Sequence, residues 1–557
     1  MKNLPQSLLI GLVVILTATS CANRKGVTEL SKLSFQQRAQ FDQLYFKASK
    51  QKVLGNYPEA ARLFADALKI DPRSHATMYQ LANLNMAVSG FHDAVYWAEK
   101  SMLDNPVYNY WYAGQLAQAY SKVGEFRKSA QVFEVMAENE PERPTNYQEA
   151  SRQYINAQEF KKAIKLLEVY VDRFGIDEEA ARMIEGLYFE LGKSKDGISW
   201  MQKLTDSDPD NVRYIGLLAE SYVRDRQNDK AKMLYLRILK MEPDNGYGHF
   251  GLSDIYKRQK QEDSSFYHLT KGFDDVIIPI ETKIKVVGSF FPYLRSNDKM
   301  RDRALVLTKK LITVHDKEDK AYLVRSDVLH VLGEQEDARK LIITASELNP
   351  GNIGIWKKLL GIDDELGNYA WLVDDSKEAL SYFPNQPFLY IINSFANYST
   401  YKYEQAISMA EEGLEIALLP SDRIDLLVTI ADASYELGQY EKTYETYDEV
   451  LELDPKNDGA MNNYAYYLSE QQVRLNDALV MIDKALLINP NRPTYLDTKG
   501  WVLFQLERYS EALPILEKAY SHFIKDKEVA NHYADCLEKL GKNGDAQKVR
   551  DALNKTN

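Results

Sequence analysis

The chain has 557 residues, 45% of them hydrophobic, 27% charged and 11% aromatic, which excludes a disordered tether and exceeds what one hydrophobic core ordinarily encloses. A net charge of −12 argues against the basic stripe that phosphate neutralisation needs, so nucleic acid is not an expected partner. Two cysteines, Cys21 and Cys536, exclude a disulfide framework.

The first twenty residues read as an address. Lys2 is followed by an apolar run, Leu8 to Leu16, that is too short to span a bilayer. Ala18, Thr19 and Ser20 then precede Cys21. This order resembles the lipobox of bacterial lipoproteins, which implies cleavage before Cys21 and acylation of that residue, palmitate among the chains. Several acyl chains would hold the protein stably, since each buried methylene contributes about 0.8 kcal/mol. No Asp and no acidic cluster follows Cys21. The expected location is therefore the cell envelope, on the periplasmic face of the outer membrane, with residues 21–36 as a lipidated tether.

The stretch Val53 to Pro72, VLGNYPEAARLFADALKIDP, predicts one amphipathic helix with a turn before it and a stop after it. Tyr57, Ala60, Leu63, Phe64, Ala67 and Leu68 fall on one face at helical spacing. Gly55 punctuates the turn and Pro72 prevents continuation. Ala60 and Ala67 are small enough to let a neighbouring helix approach. The pattern returns about every 34 residues. Phe91, Ala94 and Pro106 mark the next unit, then Ala117, Tyr120, Gly124 and Pro141, and so on to Tyr256. Residues 272–300 fit the period poorly, with breakers at Pro279 and Pro292, and read either as a degenerate repeat or as a hinge. The period resumes through Ala338, Gly438, Tyr440 and Gly500, with a one-residue insertion near Gln472, and closes at Leu553.

These landmarks resemble the tetratricopeptide repeat family: a small residue midway along a first helix, an aromatic near its end, Gly at the turn, Ala twice in a second helix and Pro at the close. The resemblance implies an all-α, right-handed superhelical solenoid of about 13–14 helical hairpins over residues 37–553. It divides into an N-terminal array (37–271), the irregular stretch (272–300) and a C-terminal array (301–557). Ser129, Gly197 and Thr443 stand where the family pattern has Ala, and no Pro follows Ala519. The segment LDTKGWVLFQLERYSEALPILEKAY looks like bacterial envelope members of the family.

Chemistry-bearing motifs are missing. The eight histidines include no His-Glu-x-x-His pair, and there is no nucleophile elbow and no phosphate-binding loop. The many carboxylates suit solvated helix faces. No enzyme activity, cofactor, metal or small-molecule substrate is expected. By the family resemblance, the residue after each first-helix small position faces the concave side. Those positions read Asn83, Gln118 and Arg152 early, and Phe395, Asp432, Tyr466, Trp501 and Asp535 late. Aromatics and acids at such positions are either inter-repeat packing or a partner-binding groove. The expected function is a non-catalytic interaction scaffold for other envelope proteins or peptides. A structural part of an envelope machine (secretion, gliding or outer-membrane assembly) and a regulator of a cell-wall or glycan enzyme are the alternatives.

Overall fold

Helices begin where the sequence supplies caps. Ser34 accepts the Gln37 N–H (3.2 Å) while the Gln37 side chain accepts the Ser34 N–H (3.0 Å), a reciprocal pair that starts the first helix at Phe35. Ordered helix therefore begins inside the stretch expected to be tether. Asn109, Asp177, Asn211 and Asn457 likewise accept N–H groups of the first helical turn. The computed structural model describes residues 33–103 and 107–554. Cys21, the signal segment, most of the tether and Pro106 lie outside the described residues.

Thirty α-helices follow one another in consecutive pairs among the described residues, with one 3₁₀ turn and no strand. That makes fifteen hairpins, fourteen regular and one irregular, against the 13–14 expected. The described residues fall into two compact units, the first ending at Pro243 and the second beginning at Asp244.

Within a hairpin the two helices meet at small residues spaced twelve apart. Ala48 and Ala60, Ala82 and Ala94, Ala219 and Ala231, and Ala534 and Ala546 are pairs of this kind, all without solvent exposure. The departures from Ala at Ser129, Gly197 and Thr443 obey the same register. The Ser129 hydroxyl donates to the Ala117 carbonyl (2.7 Å), and the Thr443 hydroxyl to the Ala431 carbonyl (3.2 Å). At Gly197 a Cβ would sit 2.9 Å from the Glu185 carbonyl oxygen, so this hairpin is closer than Ala permits. The connecting turn needs one left-handed residue, supplied by Gly124 (φ 80°) in one hairpin and by Ser89 (φ 61°) in another. The insertion near Gln472 is absorbed by two such residues, Gln472 and Arg474. Arg474 is held there by the Tyr464 hydroxyl (2.7 Å) and Asp477 (3.0 Å).

Large side chains fill the space between hairpins. Tyr154, Tyr447, Tyr464 and Tyr495 are fully buried, and Cys536 is a buried free thiol whose pKa burial pushes up to about 11.

The irregular hairpin pairs a nine-residue helix, Ile280–Gly288, with Asp298–Val314, and Phe291–Tyr293 forms the 3₁₀ turn between them. Phe273, Ile280, Val287, Phe290 and Leu294 give it an apolar core. Lys283 is buried here, donating to the Asp275 carbonyl (2.8 Å) and meeting His315 Nε2 (2.9 Å), and burial lowers its pKa to about 8.

Gly197→Ala is expected to destabilise the first unit by about 1–3 kcal/mol, because backbone must move to admit a methyl group. Gly361→Ala, in a helix where a Cβ meets nothing within 4 Å, is expected to stabilise its hairpin by about 0.5–1 kcal/mol. Segment-resolved hydrogen exchange of the two variants checks both signs.

Candidate functional site

In the second unit the late concave positions, Phe395, Asp432, Tyr466, Trp501 and Asp535, lie on the successive first helices Pro387–Ser399, Pro420–Glu436, Asp458–Glu470, Pro493–Gln505 and Lys527–Lys539. Each is tied to a neighbour. Asp432 accepts hydroxyl hydrogen bonds from Tyr447 and from Tyr467 (3.0 Å). The Tyr467 ring stacks on Tyr435 at 4.0 Å, and the Tyr435 oxygen accepts from Gln471 (3.0 Å). Tyr466 donates its hydroxyl to Glu528, two hairpins further along. The Trp501 indole donates to Glu470 (2.5 Å) and lies stacked between Phe504 (4.7 Å) and His532 (4.0 Å). His532 Nδ1 in turn meets Asp497 Oδ2 at 3.0 Å.

Tyr466 and Trp501 thus share one strip of rings and acids, and Asp432 joins it through Tyr467, whose ring lies 5.8 Å from that of Tyr466. Asp535 is paired with Arg550 (2.6 Å) within its own hairpin. Phe395 packs edge-on against Tyr369 (5.7 Å) and stays 43% exposed. Helical spacing could have pointed to the members that the concave positions missed. Glu470 follows Tyr466 by four residues, Asp497 precedes Trp501 by four, and His532 precedes Asp535 by three.

Burial disfavours the Asp432 carboxylate more than its two tyrosine donors favour it, and its pKa rises to about 6. Burial works against the charged form of His532, but the hydrogen bond to Asp497 and the charges of Glu528 and Glu470 outweigh it and carry the pKa above the usual histidine value.

In the first unit Asn83 and Gln118 line a cavity of 640 Å³ with Tyr79, Trp111, Gln115, Asn146 and Gln153. Trp111 stands 68% exposed. Gln115 donates to the Tyr79 carbonyl (3.0 Å), which leaves its side-chain oxygen without a partner. The Gln153 side-chain oxygen is also unpartnered, and both residues are only 6% exposed. Arg152 does not line this cavity. It is exposed and pairs with Glu149 (2.6 Å), which does.

The strongest acid cluster elsewhere is internal. Arg339 bridges Asp363 (2.5 Å) and Asp375 and lies 4.2 Å over the Trp371 ring. Burial, with Asp363 beside it, raises the Asp375 pKa well above the carboxylate range. No group of three His, Cys, Asp or Glu side chains is placed to hold a metal among the described residues.

Residues 398–556 match the family model described as tetratricopeptide repeat. The chain is similar to the TPR repeat-containing protein PA4667 of Pseudomonas aeruginosa, 29% identical over 210 residues that make up 36% of this chain and 34% of that protein. It is also similar to protein O-mannosyl-transferase TMTC3 of Homo sapiens, 21% identical over 346 residues, 60% of this chain and 33% of that protein. The chain spans about a third of the length of each of these two relatives. Among solved structures, that of Naa15/Naa10 bound to HypK-THB is 14% identical, with 93% of this chain and 95% of that chain covered and a TM-score of 0.40. The repeat model thus matches over 398–556, and earlier hairpins such as those of Ala48 and Ala60, Ala82 and Ala94, and Ala219 and Ala231 are built from the same kind of helix pair.

Because Asp432 keeps a proton in the folded state up to about pH 6, while the unfolded chain releases it near the ordinary Asp value of about 4, its contribution to stability is fully present below that lower value. It is lost as pH rises through 6. A carbonyl-detected NMR titration of Asp432 is expected to show a midpoint near 6, and Asp432→Asn to remove that part of the slope of stability against pH.

Proposed function

We propose that this chain is a non-catalytic scaffold that captures extended segments of other envelope proteins on its first helices, held at the periplasmic face of the outer membrane by acyl chains on Cys21. The observation that carries the capture reading is the cavity at Asn83 and Gln118, where two buried amide oxygens, those of Gln115 and Gln153, have no donor. A buried acceptor without a donor costs about 1–3 kcal/mol, and an extended peptide presents backbone N–H groups that can relieve it. Trp111 at the same cavity offers an exposed indole of the kind that anchors partner side chains. The anchor reading rests on the sequence alone: a charged start, a short apolar run, small residues and then Cys21.

A photo-reactive residue at Gln118 is expected to cross-link a protein partner in intact envelopes, while one at Lys69, a well-exposed side chain on a second helix, is not. Gln153→Leu should lower the Gln118 cross-link about tenfold and leave the melting temperature unchanged or raised, since it removes an unpaired buried oxygen. Equal labelling from both positions would refute a groove.

Cys21→Ser is expected to abolish incorporation of labelled palmitate and to release the protein from the membrane fraction. A wild-type chain that takes up no label would remove the anchor.

A further inference from the structure

The irregular hairpin leaves a second kind of cavity. A space of 850 Å³ lies among Gly246–Arg258, Glu262–Asp274, Ile280–Gly288 and the start of Asp298–Val314. Phe250, Phe266, Leu269, Val286, Phe290 and Met300 supply its apolar lining. Its polar members do not resemble those of the Gln115 cavity. The Ser253 and Ser265 hydroxyls donate to each other's carbonyls at 2.8 and 2.9 Å, so neither awaits a ligand. An extended peptide would set backbone N–H groups against the apolar side chains, and no unpartnered buried acceptor lines this cavity to take them. An alkyl chain brings none.

The charges of the lining are not balanced. Asp254 is neutralised by Arg258 (2.8 Å), and Glu262 by Lys299 (3.3 Å) and Arg303 (3.6 Å). Arg303 is spent on Asp263 (3.0 Å) and on the face of Phe266 (4.9 Å). Lys257, Lys260 and Lys285 are exposed, line the cavity and make no ion pair among the described residues. Three unmatched ammonium groups around an apolar hollow are unexpected in a chain of net charge −12. The volume lies in the range of sites that take a small molecule.

We infer that this cavity binds a single-chain anionic amphiphile of the fatty-acid class, its alkyl chain in the apolar lining and its carboxylate among Lys257, Lys260 and Lys285. The lysines act as point charges and the lining supplies the hydrophobic contribution, so both halves of the ligand are required.

The test is calorimetric titration of the full chain with decanoate, decanol and acetate, with the Met300 methyl resonance followed by NMR to locate the ligand. Decanoate is expected to bind saturably with one site, to shift the Met300 methyl, and to bind more tightly than decanol, while acetate gives no signal. The double variant Lys257→Glu, Lys285→Glu is expected to weaken decanoate about tenfold and leave decanol unchanged. Both positions are exposed, and circular dichroism confirms that the fold survives. Equal affinity for decanoate and decanol, decanoate binding that ignores the charge reversal, or binding that leaves Met300 unmoved would each overturn the assignment. Lys260→Glu alone provides a second, milder reversal with the same expected direction.

Discussion

The contact on which everything else depends is the approach of a second helix to the backbone of the first, twelve residues earlier. A helix can come that near only where a side chain is no larger than Thr. The forms taken by this contact make the constraint visible. Where Ser or Thr replaces Ala, the hydroxyl is satisfied by the very carbonyl that Ala would cover, at 2.7 Å for Ser129 and 3.2 Å for Thr443. Where Gly stands, the backbone has closed in until a methyl group no longer fits. In Ile353–Glu365 and Tyr369–Tyr382 the register places Leu360 opposite Leu372 instead. Both are almost fully buried, and this hairpin supplies the two aspartates that Arg339 bridges.

Fixing the hairpin fixes what lies on its open side. First helices recur at the repeat period, so side chains about 35 residues apart become neighbours. Tyr467 reaches Asp432, His532 reaches Asp497 and Gln115 reaches the Tyr79 carbonyl across such intervals. The same geometry gives two electrostatic outcomes. In the second unit the strip from Asp432 to His532 is mostly paired within itself: its hydroxyl, indole and imidazole groups meet its acids and its rings are stacked, and only Asp497 Oδ1 is left buried without a donor. In the first unit the amide oxygens of Gln115 and Gln153, which face one cavity, are both buried without donors.

Much of the fold was legible in the sequence. The period, the small positions, the turn residues and the breaking prolines are local features, and each acts on the backbone where it stands. The grouping of the concave positions was legible only in outline. Asn83 and Gln118 do share a cavity, and Tyr466 and Trp501 do share a strip, because the position after the small residue has a fixed direction on its helix. What those side chains touch was not legible. Asp432 is engaged by Tyr447 from the second helix of its own hairpin, and Tyr466 reaches past the adjacent hairpin to Glu528. The first depends on how two helices of one unit face each other, and the second does not follow from a repeat read one unit at a time. Arg152 shows the same limit from the other side: it stands at the position equivalent to Asn83 and Gln118, yet it pairs with Glu149 on its own helix and does not line their cavity.

The irregular hairpin shows how a departure from period becomes a surface feature. Pro279 and Pro292 confine the helix between them to nine residues, whereas first helices elsewhere commonly run to thirteen. A helix that is four residues short lacks about one turn of side chains. The preceding hairpin still presents Phe250, Phe266 and Leu269 at the spacing that a full neighbour would cover. Lys283, on the same short helix, bonds the Asp275 carbonyl and His315 and so ties that helix to the segments before and after it. A buried ammonium is costly to place, so it is a strong constraint on where that helix can sit. The two prolines bound the short helix and the buried lysine ties it to the chain on either side, and the hollow lies beside the helix they place.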